Sequence, residues 1–163
     1  MVDFAKEPDS SPLIQVEDLQ TWYPIRRGIL QKVVGHVKAV DGVTFAIPPG
    51  KTLALVGESG CGKTTIGKSI LRLVQSTGGR ILYDGLELSR LPESEFRPMR
   101  RDLQIIFQDP YSSLNPRLSI GETIMEGMEV HRLGANSAER QERAAELLKR
   151  VGLGADALSR YPH

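Results

Sequence analysis

The stretch Leu53 to Thr65, LALVGESGCGKTT, limits the possible folds of this chain more than any other segment. Four apolar residues run straight into small ones, and beyond Lys63 the apolar positions Ile66, Ile70, Leu71 and Val74 recur at helical spacing until Gly78-Gly79. The reading is strand, loop, helix. A short continuous apolar run suits a strand buried on both faces of an α/β sheet. Gly57, Gly62, Lys63 and Thr64 satisfy G-x-x-x-x-G-K-[ST] between that strand and that helix, the context a phosphate-cradling loop requires. Glycines let the backbone curl so that successive N–H groups point inward, the helix N-terminus adds partial positive charge, and Lys63 brings a full charge to the β- and γ-phosphates. Thr64 can offer its hydroxyl to Mg²⁺, which prefers oxygen ligands. A glycine-rich turn with an exposed lysine is the bland alternative, and the flanking strand and helix argue against it. Cys61 reads as a small filler, because backbone does the work of such a loop.

The rest of the chain is organised around this unit. LIQVEDLQTWYPI and VKAVDGVTFAI read as strands, and RRGILQKVVGH between them, with two glycines and four basic residues, reads as an exposed, solvated hairpin or loop. RILYDGLEL offers another strand with an Asp84-Gly85 turn, PESEFRPMRR a short polar helix, and LQIIF a second strand of the buried type. Beyond Asp109-Pro110 only helices are predicted, in GETIMEGMEVHRL and SAERQERAAELLKRVGL; in the latter Ser137 is the expected N-cap, and Ala144, Leu147, Leu148 and Val151 form an apolar stripe expected to be core.

Bulk properties exclude several function classes. Lys and Arg total 21 against 20 for Asp and Glu, so a net charge of +1 supplies no electrostatic case for nucleic acid. The amino terminus, MVDFAKEPDSSP, lacks an apolar core, and no apolar run approaches the ~18 to 20 residues that span a bilayer. One cysteine and the dispersed His36, His131 and His163 argue against a disulfide or a structural zinc. No Asn-Lys-x-Asp occurs, against a GTPase.

At GESGCGKTT followed by LQIIFQDPYSSLNPRLSIGE the sequence resembles an ATP-binding subunit of an ABC transporter, of the oligopeptide/dipeptide importer group. AVDGVTFAIPPG and GLGADALSRYPH fit the same pattern, so the resemblance runs from about Leu13 to the last residue. It implies an α/β P-loop NTPase core of the ABC ATPase type, with an N-terminal antiparallel β segment and the start of a helical subdomain. The implied division is a flexible tail over 1–12, a nucleotide-binding core over 13–108, and the Q-loop with a partial helical subdomain over 109–163. ATP and Mg²⁺ are the implied ligands, held by Gly57, Glu58, Ser59, Gly60, Cys61, Gly62, Lys63, Thr64 and Thr65. Tyr23 in LQTWYPI matches the aromatic that stacks on adenine, any base offering a π-face to such a ring; without the resemblance it would read as a core-facing strand residue. Gln108 in IIFQDP matches the glutamine that reaches Mg²⁺ and the attacking water. Thr64 and Gln108 are thus the implied metal ligands, and Gln108 and Lys63 the implied catalytic residues.

The same resemblance implies partners: transmembrane permease subunits, a second, homologous and non-identical ATP-binding subunit, and indirectly an extracytoplasmic peptide-binding protein, with this chain peripheral at the cytoplasmic face of the membrane. Nickel and glutathione importers share these motifs, and a non-transport ATPase with the same core, or a non-catalytic nucleotide-binding module, are the rival readings. In the family RYPH leads into the Leu-Ser-Gly-Gly-Gln signature, the Walker B strand and the switch histidine, none of which occurs here. The expectation is therefore half a hydrolytic site, in a fragment that alone is not catalytically competent, with the LALV strand lacking the neighbours that family members supply from beyond Walker B.

Overall fold

The alternating stretches on either side of RRGILQKVVGH pair with one another. In the computed structural model, which describes residues 11–109 and 113–162, β1 (Ile14–Arg27) and β2 (Lys32–Ile47) make one long antiparallel ribbon. The basic segment is its end: both strands continue to a turn over residues 28–31. On its other edge β1 pairs antiparallel with β3 (Gly78–Tyr83), which pairs with β4 (Leu86–Glu87), giving the order β2-β1-β3-β4 among the described residues. Asp84 and Gly85 join the last two with positive φ at both positions, as a tight hairpin of this hand requires. Most of the N-terminal tail, residues 110–112 after the Gln108 segment, and His163 lie outside the described residues.

The chain divides into two compact units, the first ending at Leu103 and the second beginning at Gln104. In the first, Val16, Leu19, Val40, Ile66, Ile81, Leu88 and Phe96 form one buried cluster, each such side chain contributing about 1.5 to 3 kcal/mol. Ile66 comes from helix α1 (Lys63–Ile70), which thereby lies on the ribbon. Phe96, at the end of the short helix α2 (Glu93–Phe96), is stacked by the guanidinium groups of Arg72 and Arg100, 4.7 and 5.4 Å from its ring centre.

Three local expectations are corrected here. LALV and LQIIF are not strands: residues 53–56 and 104–107 carry no ladder pairing, and Val56 and Ile106 are 93% and 97% exposed. The reason is one of pairing, since β1 is already bonded on both edges and neither segment enters the ladder β2-β1-β3-β4. Helix α1 stops at Ile70, not near Gly78. Arg72 takes the left-handed position after the helix (φ 53°), and the Leu73 N–H bonds to the Lys68 carbonyl at 2.8 Å, closing the end as a glycine usually does. Its side chain explains the tolerance, because the Arg72 guanidinium donates to the Leu91 carbonyl at 2.8 Å as well as stacking on Phe96. Gly78 and Gly79 instead open β3, where a Cβ on Gly79 would sit 2.3 Å from the Asp18 carbonyl oxygen.

The second unit is helical, as expected. Helix α3 (Ile120–Val130) starts in a reciprocal capping box: the Ser119 hydroxyl accepts from the Glu122 N–H, and the Glu122 carboxylate accepts from the Ser119 N–H at 2.7 Å. Helix α4 (Ser137–Arg150) is capped by Asn136, whose side chain accepts from the Glu139 N–H, so Ser137 is the first helical residue and not the cap. Ala144 and Leu148 are buried with Met128 and Ala157, whereas Leu147 and Val151 are exposed. The expected stripe is therefore half core.

Candidate functional site

The loop from Gly57 to Gly62 enters α1 without any side-chain cap. Gly62 is the N-cap residue, with φ 97°, and its carbonyl accepts the first helical bond from the Ile66 N–H at 2.9 Å. Two constraints make glycine obligatory there. Positive φ is costly for any residue with a Cβ, and a Cβ at Gly62 would lie 2.3 Å from the carbonyl oxygen of Ala39 on β2. The start of the helix is thus pressed onto the ribbon. Gly60 also has positive φ (84°) but faces open space, so its freedom serves the curl of the loop alone.

Lys63 folds back over this curl. Its ammonium donates to the carbonyls of Gly57 and Glu58 at 2.8 and 2.7 Å and approaches the Cys61 sulfur at 3.4 Å. A full positive charge is consequently held against the loop, beside the orphan N–H groups of the first turn of α1. Cys61 packs over Gly57: a Cβ at position 57 would stand 2.8 Å from its sulfur. Thr64 is exposed in the first helical turn and Thr65 half-buried, while Glu58, Ser59 and Gly60 are exposed.

The far side of α1 is fixed by a polar contact that the sequence pattern did not disclose. Ser69 and Thr21, each 1% exposed, share a hydrogen bond at 2.9 Å between their hydroxyls, tying the helix to β1 inside the core. A serine among apolar helical positions was the available signal. The Ala39 carbonyl had no signal of its own.

The other candidates lie on other elements. Tyr23 lies on β1 in the same unit, opposite Val37 and 41% exposed, so it is not the buried strand residue of the alternative reading. Gln108 belongs to the second unit and is exposed. The contacts seen among the candidate residues are those within the loop, between Lys63, Gly57, Glu58 and Cys61.

The donor set fits a nucleotide phosphate chain with its magnesium ion: a loop curled so tightly that a Cβ at Gly57 would meet the Cys61 sulfur, an ammonium against its carbonyls, and a hydroxyl one residue on.

Comparison with known proteins identifies the family. Residues 40–162 match the family described as ABC transporter. The glutathione import ATP-binding protein GsiA of Pectobacterium atrosepticum is 48% identical over 154 residues, covering 94% of this chain and 25% of the relative; that of Salmonella typhi is 46% identical over 155 residues, covering 95% and 25%. The chain thus spans about a quarter of the length of these curated relatives. Among solved structures, a dimeric post-hydrolysis state of the ATP-binding cassette MJ0796 bound to ADP and Pi superposes with a TM-score of 0.73 at 25% identity, covering 91% of this chain and 61% of the cassette. A second dimeric structure of the same cassette gives 0.73 at 26%.

Proposed function

Because this chain belongs to the ABC transporter family, we propose that it is the phosphate-binding part of an ATPase subunit that drives import of small peptides, glutathione included. The observation that carries the reading is the Lys63 ammonium held by the Gly57 and Glu58 carbonyls at the start of α1, where first-turn N–H groups and Gly-determined curvature converge. Glutathione is itself a tripeptide, so the GsiA relatives and the peptide-importer pattern of LQIIFQDPYSSLNP point to one cargo class.

In this reading the residues divide the work. Backbone N–H groups from Gly57 to Gly62 bind phosphate oxygens, and Lys63 neutralises charge that grows on the γ-phosphoryl group as it departs. Thr64 would offer its hydroxyl to Mg²⁺, which would supply charge neutralisation for phosphoryl transfer. Tyr23 presents its ring to adenine. Gln108 orients water and contributes to the metal from the segment following the core. Permease subunits, a second ATP-binding subunit and an extracytoplasmic binding protein complete the machine, with the ATPase at the cytoplasmic face of the membrane; no helix among the described residues is long and apolar enough to cross it.

The test is Lys63→Ala in the full-length protein, assayed for ATP-driven uptake of radiolabelled glutathione and of a dipeptide. Uptake of the true cargo falls to background while the subunit remains assembled. Normal uptake of both by the variant contradicts the proposal.

A further inference from the structure

The turn that joins β1 to β2 carries the wrong residues for a merely solvated loop. Its closing bond runs from the Gln31 N–H to the Gly28 carbonyl at 3.1 Å, which makes Ile29 and Leu30 the two corner residues. Corners ordinarily take Gly, Pro, Asn, Asp or Ser. Here two branched aliphatic side chains project instead, Ile29 102% and Leu30 80% exposed, with Val33 and Val34 exposed just behind them.

Charge is arranged around that apolar tip. Arg27 pairs across the ribbon with Lys32, and Arg26 with Val33, so three cations ring the base of the turn. None of the three has an ion-pair partner among the described residues, and no Asp or Glu occurs between Asp18 and Asp41. The chain as a whole is only +1, so the remainder is net acidic and the positive charge is concentrated here.

We propose that this hairpin tip docks on an anionic lipid surface, with Ile29 and Leu30 entering the headgroup–acyl boundary and Arg26, Arg27 and Lys32 contacting lipid phosphates. An aliphatic point above a cationic collar is complementary to a bilayer interface, which is apolar below and anionic above. A protein groove that accepted the same tip would need a matching acidic rim, whereas a membrane supplies both features everywhere. The inference does not depend on the nucleotide site, because no residue of positions 57–65 takes part.

The experiment is co-sedimentation of the purified full-length protein, free of membrane subunits, with phosphatidylcholine vesicles and with vesicles containing 30% phosphatidylglycerol. Binding to the anionic vesicles is expected, weakening with salt, and falling about fivefold for each cation neutralised, hence about 25-fold in Arg27→Gln/Lys32→Gln. Ile29→Ser/Leu30→Ser is expected to lose about tenfold. Hydrogen exchange on the unaltered protein gives an independent readout, with protection of residues 26–34 on vesicle addition. Absence of binding, equal binding to both vesicle types, no protection of 26–34, or association that appears only when permease subunits are present would overturn the proposal.

Discussion

Gly62 and Ala39 are in backbone contact across the first unit: a methyl group on the Gly62 α-carbon would stand 2.3 Å from the Ala39 carbonyl oxygen. Helix α1 can start where it does only because nothing projects there. Gly62→Ala is therefore expected to displace the helix start from β2 and to reduce nucleotide affinity more than tenfold. Gly60→Ala, with the same φ sign but open space, should cost only the strain of the left-handed conformation, about 1 to 2 kcal/mol. Fluorescent-nucleotide titration of both variants checks the order, and equal losses would show that the contact with Ala39 is unimportant.

A buried pair of hydroxyls offers a test of how α1 is held. Thr21→Val removes one partner and leaves the Ser69 hydroxyl unsatisfied in the core, which costs about 1 to 3 kcal/mol. The double variant Thr21→Val/Ser69→Ala should recover most of that loss. Urea unfolding of the four proteins in a double-mutant cycle gives the coupling, and additive losses would mean that the hydroxyls do not act as a pair.

Acid should loosen the helical unit first. The Glu122 carboxyl is held below its ordinary range by hydrogen bonds from the Ser119 backbone and side chain, and Glu139 by the Ala135 backbone N–H and then by the charge of Arg143. For carboxylates with lowered folded-state pKa the stabilisation is complete above the unfolded value, near 4.3, and disappears as pH falls through the folded one. Melting temperature followed by helical circular dichroism should drop on the acid side of that window. Glu122→Gln and Glu139→Gln together should flatten the drop, and an unchanged profile would exclude the two caps as its source.

Exposed apolar backbone has its own consequence. Leu55, Val56, Ile106 and Phe107 face solvent on segments without strand partners, a combination that invites pairing with other chains. Residues 1–163 expressed alone should self-associate with rising concentration in sedimentation velocity and bind ATP weakly. A monodisperse sample with a sharp melt, raised several degrees by Mg-ATP, would overturn this.

Legibility in the sequence followed the range of the forces involved. The curl of the glycine loop into α1 was readable because its determinants are local: glycines, a lysine and a helix start within nine residues. The Asp84-Gly85 turn obeys equally local rules, whereas the cap of α4 was read one residue late, at Ser137 instead of Asn136. LALV and LQIIF failed because an apolar run states what a segment prefers and not whether a neighbouring strand exists to pair with it. Arg72 at the end of α1 failed for a related reason, since its left-handed conformation is supported by Leu91 and Phe96, both distant in sequence. Ile29 and Leu30 were present in a segment read as solvated, and only the turn geometry places them at its corners.

The central claim is that phosphates of ATP sit against positions 57–65, and Cys61, exposed within that loop, reports on it directly. The measurement is the rate of maleimide addition to Cys61 in the full-length protein, read by peptide mapping, with and without saturating Mg-ATP. Bound nucleotide should slow the reaction at least tenfold, with Lys63→Ala abolishing the protection. Equal rates with and without Mg-ATP in the unaltered protein would contradict the assignment of the loop.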